Sequence, residues 1–328
     1  MRQCFSIGLF ALLVLSLPGC GGFRDTKPQL PGNLDTLCMP DYASGFEMYR
    51  YDSSTLLRIV NPWQGADSVS QWVFLSRDDE KPPKGFAGET IDVPVRRIVC
   101  MSSSYVAFLE ALGADSTICA ISGTGYIWSD KVRNRIAGGE IAEAGFDNSL
   151  NFEKLVALKP DVVFLYGLTG KNAVTDKLHE LGLKTVYIGD YVENNPLGRA
   201  EWITVFGEFI GRRELARTLF DSISNEYNRA KALVSGVEKR PEVMLNAPWQ
   251  DSWFVPGDRS YMVRLLEDAG GNYACRGVDS DQSRPISTET AFVAASQSDF
   301  WLSPGTATSL AELNAMNPRF GSIPPVRN

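Results

Sequence analysis

The chain predicts an α/β protein: two lobes, each a parallel sheet covered on both faces, joined by a long crossing α-helix, with a small antiparallel β extension in front. Three observations predict it. The first is Asn151 to Tyr166, NFEKLVALKPDVVFLY, which reads as a helix cap, an acid in the first turn (Glu153), two helical turns, a Lys-Pro stop and an apolar strand from Val162 to Leu165. The second is a looser copy downstream, where Ser287, Glu289, an Ala-rich helix and then Asp299 to Leu302 repeat the same order. The third is Arg213 to Val234, where Leu215, Leu219, Ile223, Tyr227, Ala230 and Val234 hold a helical spacing. Such a helix runs about six turns, or about 33 Å. Two like units on either side of a helix that long define two Rossmann-like lobes with a connector that limits hinge motion.

The elements follow in order. Residues 43–92 carry short aromatic and β-branched runs, Gly45 to Tyr51, Thr55 to Val60 and Trp72 to Ser76, which predict a small antiparallel sheet. Asp78 to Gly88, with Pro82, Pro83 and Gly85, predicts a loop. Residues 93–195 then alternate strand and helix, the pattern of a parallel sheet. Arg97 to Met101 reads as a strand, Ser104 to Leu112 as a helix stopped by Gly113, and Thr117 to Ile121 as the next strand. Asn172 to Leu181 and Lys184 to Ile188 supply a last helix and strand. Residues 196–236 are a helical linker interrupted near Gly207 and Gly211. In residues 237–328, Glu242 to Trp249 predicts a strand, Trp253 to Gly257 an aromatic turn, and Ser260 the cap of a helix ending at Gly270-Gly271. The chain then runs to IPPVRN, and a sheet with so few elements would leave one face bare, so the C-terminal lobe is expected to be incomplete.

The first residues carry an address. Ile7 to Leu17 is an apolar run of eleven residues preceded by Arg2, too short for a membrane span and suited to the core of a secretory signal peptide over residues 1–19. Leu17-Pro18-Gly19-Cys20 resembles a bacterial lipobox, with Pro18 unusual for it, so Cys20 is the expected lipidation site. Residues 20–42, rich in Gly and Pro, are then a tether. The full chain has a formal charge of −7, with 32 Lys and Arg against 39 Asp and Glu. That balance argues against a nucleic-acid partner, whose phosphates call for basic surface. With a single histidine, His179, and no CxxC spacing, a zinc site and any Ser-His or Cys-His pair are disfavoured. Cys100 and Cys119 lie in strand-like runs, either as small buried hydrophobes or as a disulfide between neighbouring strands. The states of Cys38 and Cys275 stay open.

From Arg97 onward the chain resembles the helical-backbone (class III) substrate-binding proteins of ABC importers, which bind ferric siderophores, haem and cobalamin, with the cobalamin-binding members nearest by eye. The resemblance rests on Asn151-Phe152-Glu153, Ala157-Leu158-Lys159-Pro160-Asp161, Glu180-Leu181-Gly182 before a strand, the crossing helix, and Ser287-Thr288-Glu289. PLGRAEW, Pro196 to Trp202, looks like the mark of a subgroup, and the resemblance implies no role for it. It does imply that Glu153 and Glu289 dock on arginines of an ABC permease in the inner membrane. It further implies a ligand cleft between the lobes at the carboxyl ends of the strands, where open α/β sheets place ligands in general.

Residues expected at that cleft are Tyr126, Trp128, Phe146, Tyr166, Trp253 and Phe254; of these, Phe146, Tyr166 and Phe254 align with aromatic contacts of the cobalamin binders. Large flat side chains suit a bulky macrocycle or chelate that needs enclosure rather than chemistry. Arg259, Arg276 and Arg284 flank the same segment and would meet an anionic ligand, or are ordinary solvated arginines. Trp249 and Trp301 sit at strand ends as core. Gly123-Thr124-Gly125 lacks the third glycine of a dinucleotide loop, and Asp190 with Glu193 has no spacing that fixes a catalytic separation.

The expected function is therefore a monomeric, lipid-anchored envelope protein, not an enzyme and without a cofactor, whose ligand is itself a metal chelate. Two other readings remain at this point: an envelope enzyme or chelatase-like protein on the same scaffold, and a stand-alone haem- or corrinoid-binding lipoprotein.

Overall fold

The computed structural model describes residues 35–327 except 147–148, 168–172, 250–251, 278, 304, 306 and 308. The expected signal peptide, Cys20 and the expected tether up to residue 34 lie outside the described residues. Structure begins earlier than the tether's expected end at residue 42, because Asp35–Cys38 (β1) already pairs antiparallel with Phe46–Tyr51 (β2). Ser54–Val60 (β3) and Ser70–Ser76 (β4) continue the antiparallel order. Glu89–Asp92 (β5) closes the sheet parallel to β4, after the expected loop, so the extension is not purely antiparallel. Alternation along β2 buries Phe46 and Met48. The middle strands β3 and β4 are buried on both faces, since one face meets the first lobe.

The first lobe follows as Ile98–Cys100 (β6), Ser103–Ala111 (α1), Ile118–Ile121 (β7), Asp130–Ala137 (α2), Ala142–Glu143 (β8), Phe152–Leu158 (α3), Val162–Leu165 (β9), Ala173–Glu180 (α4) and Thr185–Tyr187 (β10). Its strands are all parallel in the order β10-β9-β6-β7-β8. Short apolar runs such as VVFL in β9, buried at every position, are what a sheet covered on both faces requires. The helix α2 and strand β8 were not legible, because DKVRNRIA buries only Val132 and shows little apolar face. Cys100 and Cys119 are free thiols in the buried core, so the small-hydrophobe reading holds for both.

The linker comprises Pro196–Glu201 (α5), Ile203–Phe209 (α6) and Arg213–Leu233 (α7). Gly207, expected as an interruption, sits inside α6 instead. A Cβ there would come within 2.4 Å of the Ala216 Cβ, so the glycine permits close approach of α6 and α7. That approach sets the phase of the crossing helix. Ala216 and Phe220 are its buried residues, whereas Leu215 and Ile223 of the expected apolar row are 42% and 43% exposed. Its far end reaches the second lobe through the Tyr227 hydroxyl and Lys231 Nζ, 3.0 and 2.8 Å from the Asp268 carboxylate.

The second lobe contains Glu242–Leu245 (β11), Pro248–Trp249 (β12), Ser252–Val255 (β13), Tyr261–Asp268 (α8), Asn272–Tyr273 (β14), Arg284–Ile286 (β15), Thr288–Ser296 (α9), Phe300–Leu302 (β16), Leu310–Met316 (α10) and Pro324–Arg327 (α11). Among the described residues its parallel sheet runs β14-β11-β16, the same arrangement as β7-β6-β9 in the first lobe. The expected strand to Trp249 breaks at Asn246, which takes a left-handed φ of 64°. The expected aromatic turn is a strand: β13 pairs antiparallel with β12 and with β15 in a separate small sheet.

Candidate ligand cleft and docking glutamates

The two repeated units match in detail. Asn151 accepts the Lys154 N–H at the start of α3, and Ser287 accepts the Thr290 N–H at the start of α9. Glu153 and Glu289 each stand two residues after the cap, exposed, in the first turn where the helix dipole favours an acid. Both helices lead into parallel strands, β9 and β16.

At the carboxyl ends of the first lobe's strands, aromatic side chains stand in the open. Trp128 is 89% exposed, Tyr126 70% and Phe146 54%. A single carboxylate organises their loops: Glu143, ending β8, accepts from the N–H of Gly123 (2.9 Å), the N–H and hydroxyl of Thr124 (2.8 and 2.6 Å) and the N–H of Gly145 (3.0 Å). Burial alone would raise the Glu143 carboxyl, but these donors outweigh it and hold it below its ordinary value. Gly123 adopts a φ of 76°, and a Cβ there would meet the Tyr126 ring at 2.9 Å and the Phe146 ring at 3.3 Å, so the two rings flank the same turn. Tyr126 and Trp128 line a hollow of about 650 Å³ against the N-terminal turn of α1 at Ser103 and Ser104.

The fourth aromatic, Tyr166, follows β9 and is half-buried, its ring 4.4 Å from that of Tyr191. Tyr191, which follows β10, was not foreseen. Its hydroxyl bonds the Gly167 carbonyl and accepts the Gln64 N–H at 3.2 Å. Asp190 beside it is fully buried, and burial raises its carboxyl above the ordinary range while Arg199, 3.7 Å away, opposes the shift. Asp190 and Glu193 are thus both buried carboxylates.

Two expected cleft residues, Trp253 and Arg284, turn inward instead. Trp253 belongs to the second lobe's core: strand alternation turns Trp253 and Val255 inward, and the indole N–H donates to the Leu245 carbonyl at 3.2 Å. Its ring packs against Trp301 and Phe320. Phe254, on the opposite face of β13, is 41% exposed. Arg284 lies opposite buried Val255 in the register of β13 and β15, which places it on the inward face, and its Nε is buried without a hydrogen-bond partner. Arg259 is paired with Asp279, and Arg276 with Glu267, so neither presents a free cation. Trp301 is core-associated, while the Trp249 side chain is outside the described residues.

The segment PLGRAEW acquires a role from three-dimensional contacts. Glu201, fully buried, accepts the backbone N–H groups of Asp41 (2.8 Å), Tyr42 (2.8 Å) and Ala43 (2.9 Å). Glu193 takes the next two, from Ser44 and Gly45, and the Trp202 indole N–H at 3.0 Å. Arg199 lies 4.6 Å over the Tyr261 ring of the second lobe. One short helix therefore holds the extension with its carboxylate and touches the far lobe with its guanidinium.

Residues 98–328 match the periplasmic binding protein family, and the chain belongs to that family. The match begins at the first residue of β6, leaving the extension outside it. An uncharacterised lipoprotein of Methanocaldococcus jannaschii is 26% identical, over 100% of this chain and 86% of its own length. Among solved structures, the periplasmic haem-binding protein HutB of Vibrio cholerae superposes with a TM-score of 0.57 at 18% identity, covering 71% of this chain and 86% of that one. The vitamin B12-binding protein BtuF of the same organism gives 0.52 at 12% identity, over 72% and 86%. Haem- and cobalamin-named structures thus share the fold alike, and the expected special nearness to the cobalamin binders is not singled out. Among the described residues no group of three or more His, Cys, Asp or Glu is placed to hold a metal ion, and no helix is long and apolar enough to cross a membrane.

Proposed function

We propose that the protein captures a metal-chelate nutrient between its lobes, against the exposed face of Tyr126, Trp128 and Phe146, and delivers it to an ABC permease while anchored to the membrane through lipidated Cys20. The observation that carries this reading is the exposed aromatic face at the carboxyl ends of parallel strands, in a member of a binding-protein family. Exposed aromatics are costly to leave in water and enclose flat ligands well. The relatives' names, which specify haem and vitamin B12, support the chelate class. Glu153 and Glu289, matched on the two lobes, are the docking pair; an exposed ion pair contributes only ~0–1 kcal/mol, so their role is register on the permease.

Titration of the purified protein with cyanocobalamin, haem and ferric siderophores, followed by tryptophan fluorescence, tests the capture. Binding of one of them at micromolar concentration is expected, with Trp128→Ala weakening it roughly tenfold or more by loss of a buried aromatic contact. Silence toward every chelate would sink the reading. Glu153→Ala combined with Glu289→Ala is expected to leave ligand affinity unchanged and to abolish stimulation of the permease ATPase.

A further inference from the structure

The extension does more than sit behind the first lobe. Gln71 of β4 accepts the Tyr187 N–H and donates to the Thr185 carbonyl, both at 2.9 Å, so its amide completes the outer edge of β10. The β3–β4 loop then continues over the carboxyl ends of β9 and β10. Trp63 forms a parallel bridge with Gly167, and its ring meets the Tyr187 ring at 5.1 Å. The Gln64 N–H bonds the Tyr191 hydroxyl. A cavity of about 300 Å³ results, at the small end of the range for ligand sites. Asn61, Gln64 and Ala66 of the extension form one wall, Tyr191 and Asn194 of the first lobe a second, and Ser260, Tyr261 and Asp281 of the second lobe a third. Its Tyr191 wall is the back of the Tyr166 stack, so the cavity lies beside Tyr166 at the end of β9, between walls from both lobes.

The lining has a definite chemistry. Amide and hydroxyl groups dominate, the charged members are Glu193 and Asp281, and no Lys or Arg lines it among the described residues. Glu193 already accepts from Ser44, Gly45 and Trp202, and Arg199 faces the Tyr261 ring, leaving exposed Asp281 as the free charge.

We propose that the β3–β4 loop of the extension is a specificity wall of the ligand site, which accepts the neutral or cationic, amide- or hydroxyl-bearing periphery of a chelate and rejects carboxylate- or catecholate-rimmed ones. This rests on the capture reading above. The family match stops short of the extension, so the wall belongs to this chain and to relatives that carry the extension.

The test is a binding panel of neutral cyanocobalamin, a ferric trihydroxamate, haem and a ferric tricatecholate, measured on wild type, Ala66→Trp, Asp281→Arg and the control Asp67→Trp. Wild type is expected to prefer the neutral pair by about tenfold or more, since an unpaired like charge at a site rim is rejected. Ala66→Trp fills the cavity and should weaken the preferred chelate about tenfold, whereas Asp67→Trp, on an exposed position of the same loop that does not line the cavity, should not. Asp281→Arg, at an exposed residue that burdens folding little, should move the neutral-to-anionic ratio about tenfold toward the anionic chelates. If wild type binds a chelate and both cavity variants keep its affinity and order, the extension is no part of the site and the proposal is overturned, with the capture reading intact. A Trp variant that fails to fold leaves the decision to Asp281→Arg. If wild type binds no member of the panel, both readings fall together.

Discussion

The two lobes share a strand order and a capped helix, yet they are held together differently. In the first lobe the core runs without a break from Phe46, Leu57 and Val73 of the extension through Ile98 and Phe164 to Phe206 and Phe209 of the linker. In the second, Trp253, Tyr273, Leu313 and Phe320 form a core of their own. Their edges differ too: β10 is completed by the Gln71 amide, whereas β16 carries Phe300 and Leu302, 55% and 47% exposed. The contrast implies two cooperative units, a braced platform carrying the aromatic face and an independently packed partner.

Several substitutions would break or sharpen that contrast. Trp253→Ala removes the centre of the second core and is expected to cost about 3–5 kcal/mol. The loss should appear in calorimetry as a second-lobe transition at lower temperature, with hydrogen exchange in the first lobe unchanged. Glu201→Ala strips three backbone donors of their acceptor, a loss of roughly 3 kcal/mol at about 1 kcal/mol or more each, and should speed exchange at Asp41 to Ala43 while sparing Tyr261 to Asp268. One shared shift from both variants would mean that the cores unfold as one.

The repeated caps give a finer comparison. Asn151→Ala and Ser287→Ala each remove an acceptor for one N–H and are expected to cost about 1 kcal/mol apiece in thermal unfolding. Unequal costs would show that the units match in geometry but not in energetic setting.

The smallest effect is a pH dependence. Because the Glu143 carboxyl is held below its unfolded value, its contribution is complete above roughly pH 4.3 and is lost as pH falls through the lower folded value. Exchange at Gly123, Thr124 and Gly145 should therefore accelerate on acidification through that window, and Glu143→Gln should flatten the response.

Much of this was readable residue by residue. The caps at Asn151, Ser260 and Ser287, the acids behind two of them, the runs of β6 and β9 and the extent of α7 follow from local rules that look a few residues ahead. The misreadings have particular causes. The apolar row through Leu215 and Ile223 was genuine as a pattern, but the approach of Gly207 to Ala216 turned the other row inward. Trp253 was expected at the cleft, and strand alternation in β13 decided that it faces the core while Phe254 faces out.

What the sequence determined by itself was the class of fold, the two matched units with Glu153 and Glu289, and the exposed aromatics Tyr126, Trp128 and Phe146 as members of one lobe's strand ends. Only the tertiary structure decided what Glu193, Glu201 and Gln71 are for and that Trp63 and Gln64 meet Gly167 and Tyr191 beyond the ends of β9 and β10. Those side chains meet backbone groups 114 to 160 residues away, and periodicity states which residues share a face without stating what that face will meet.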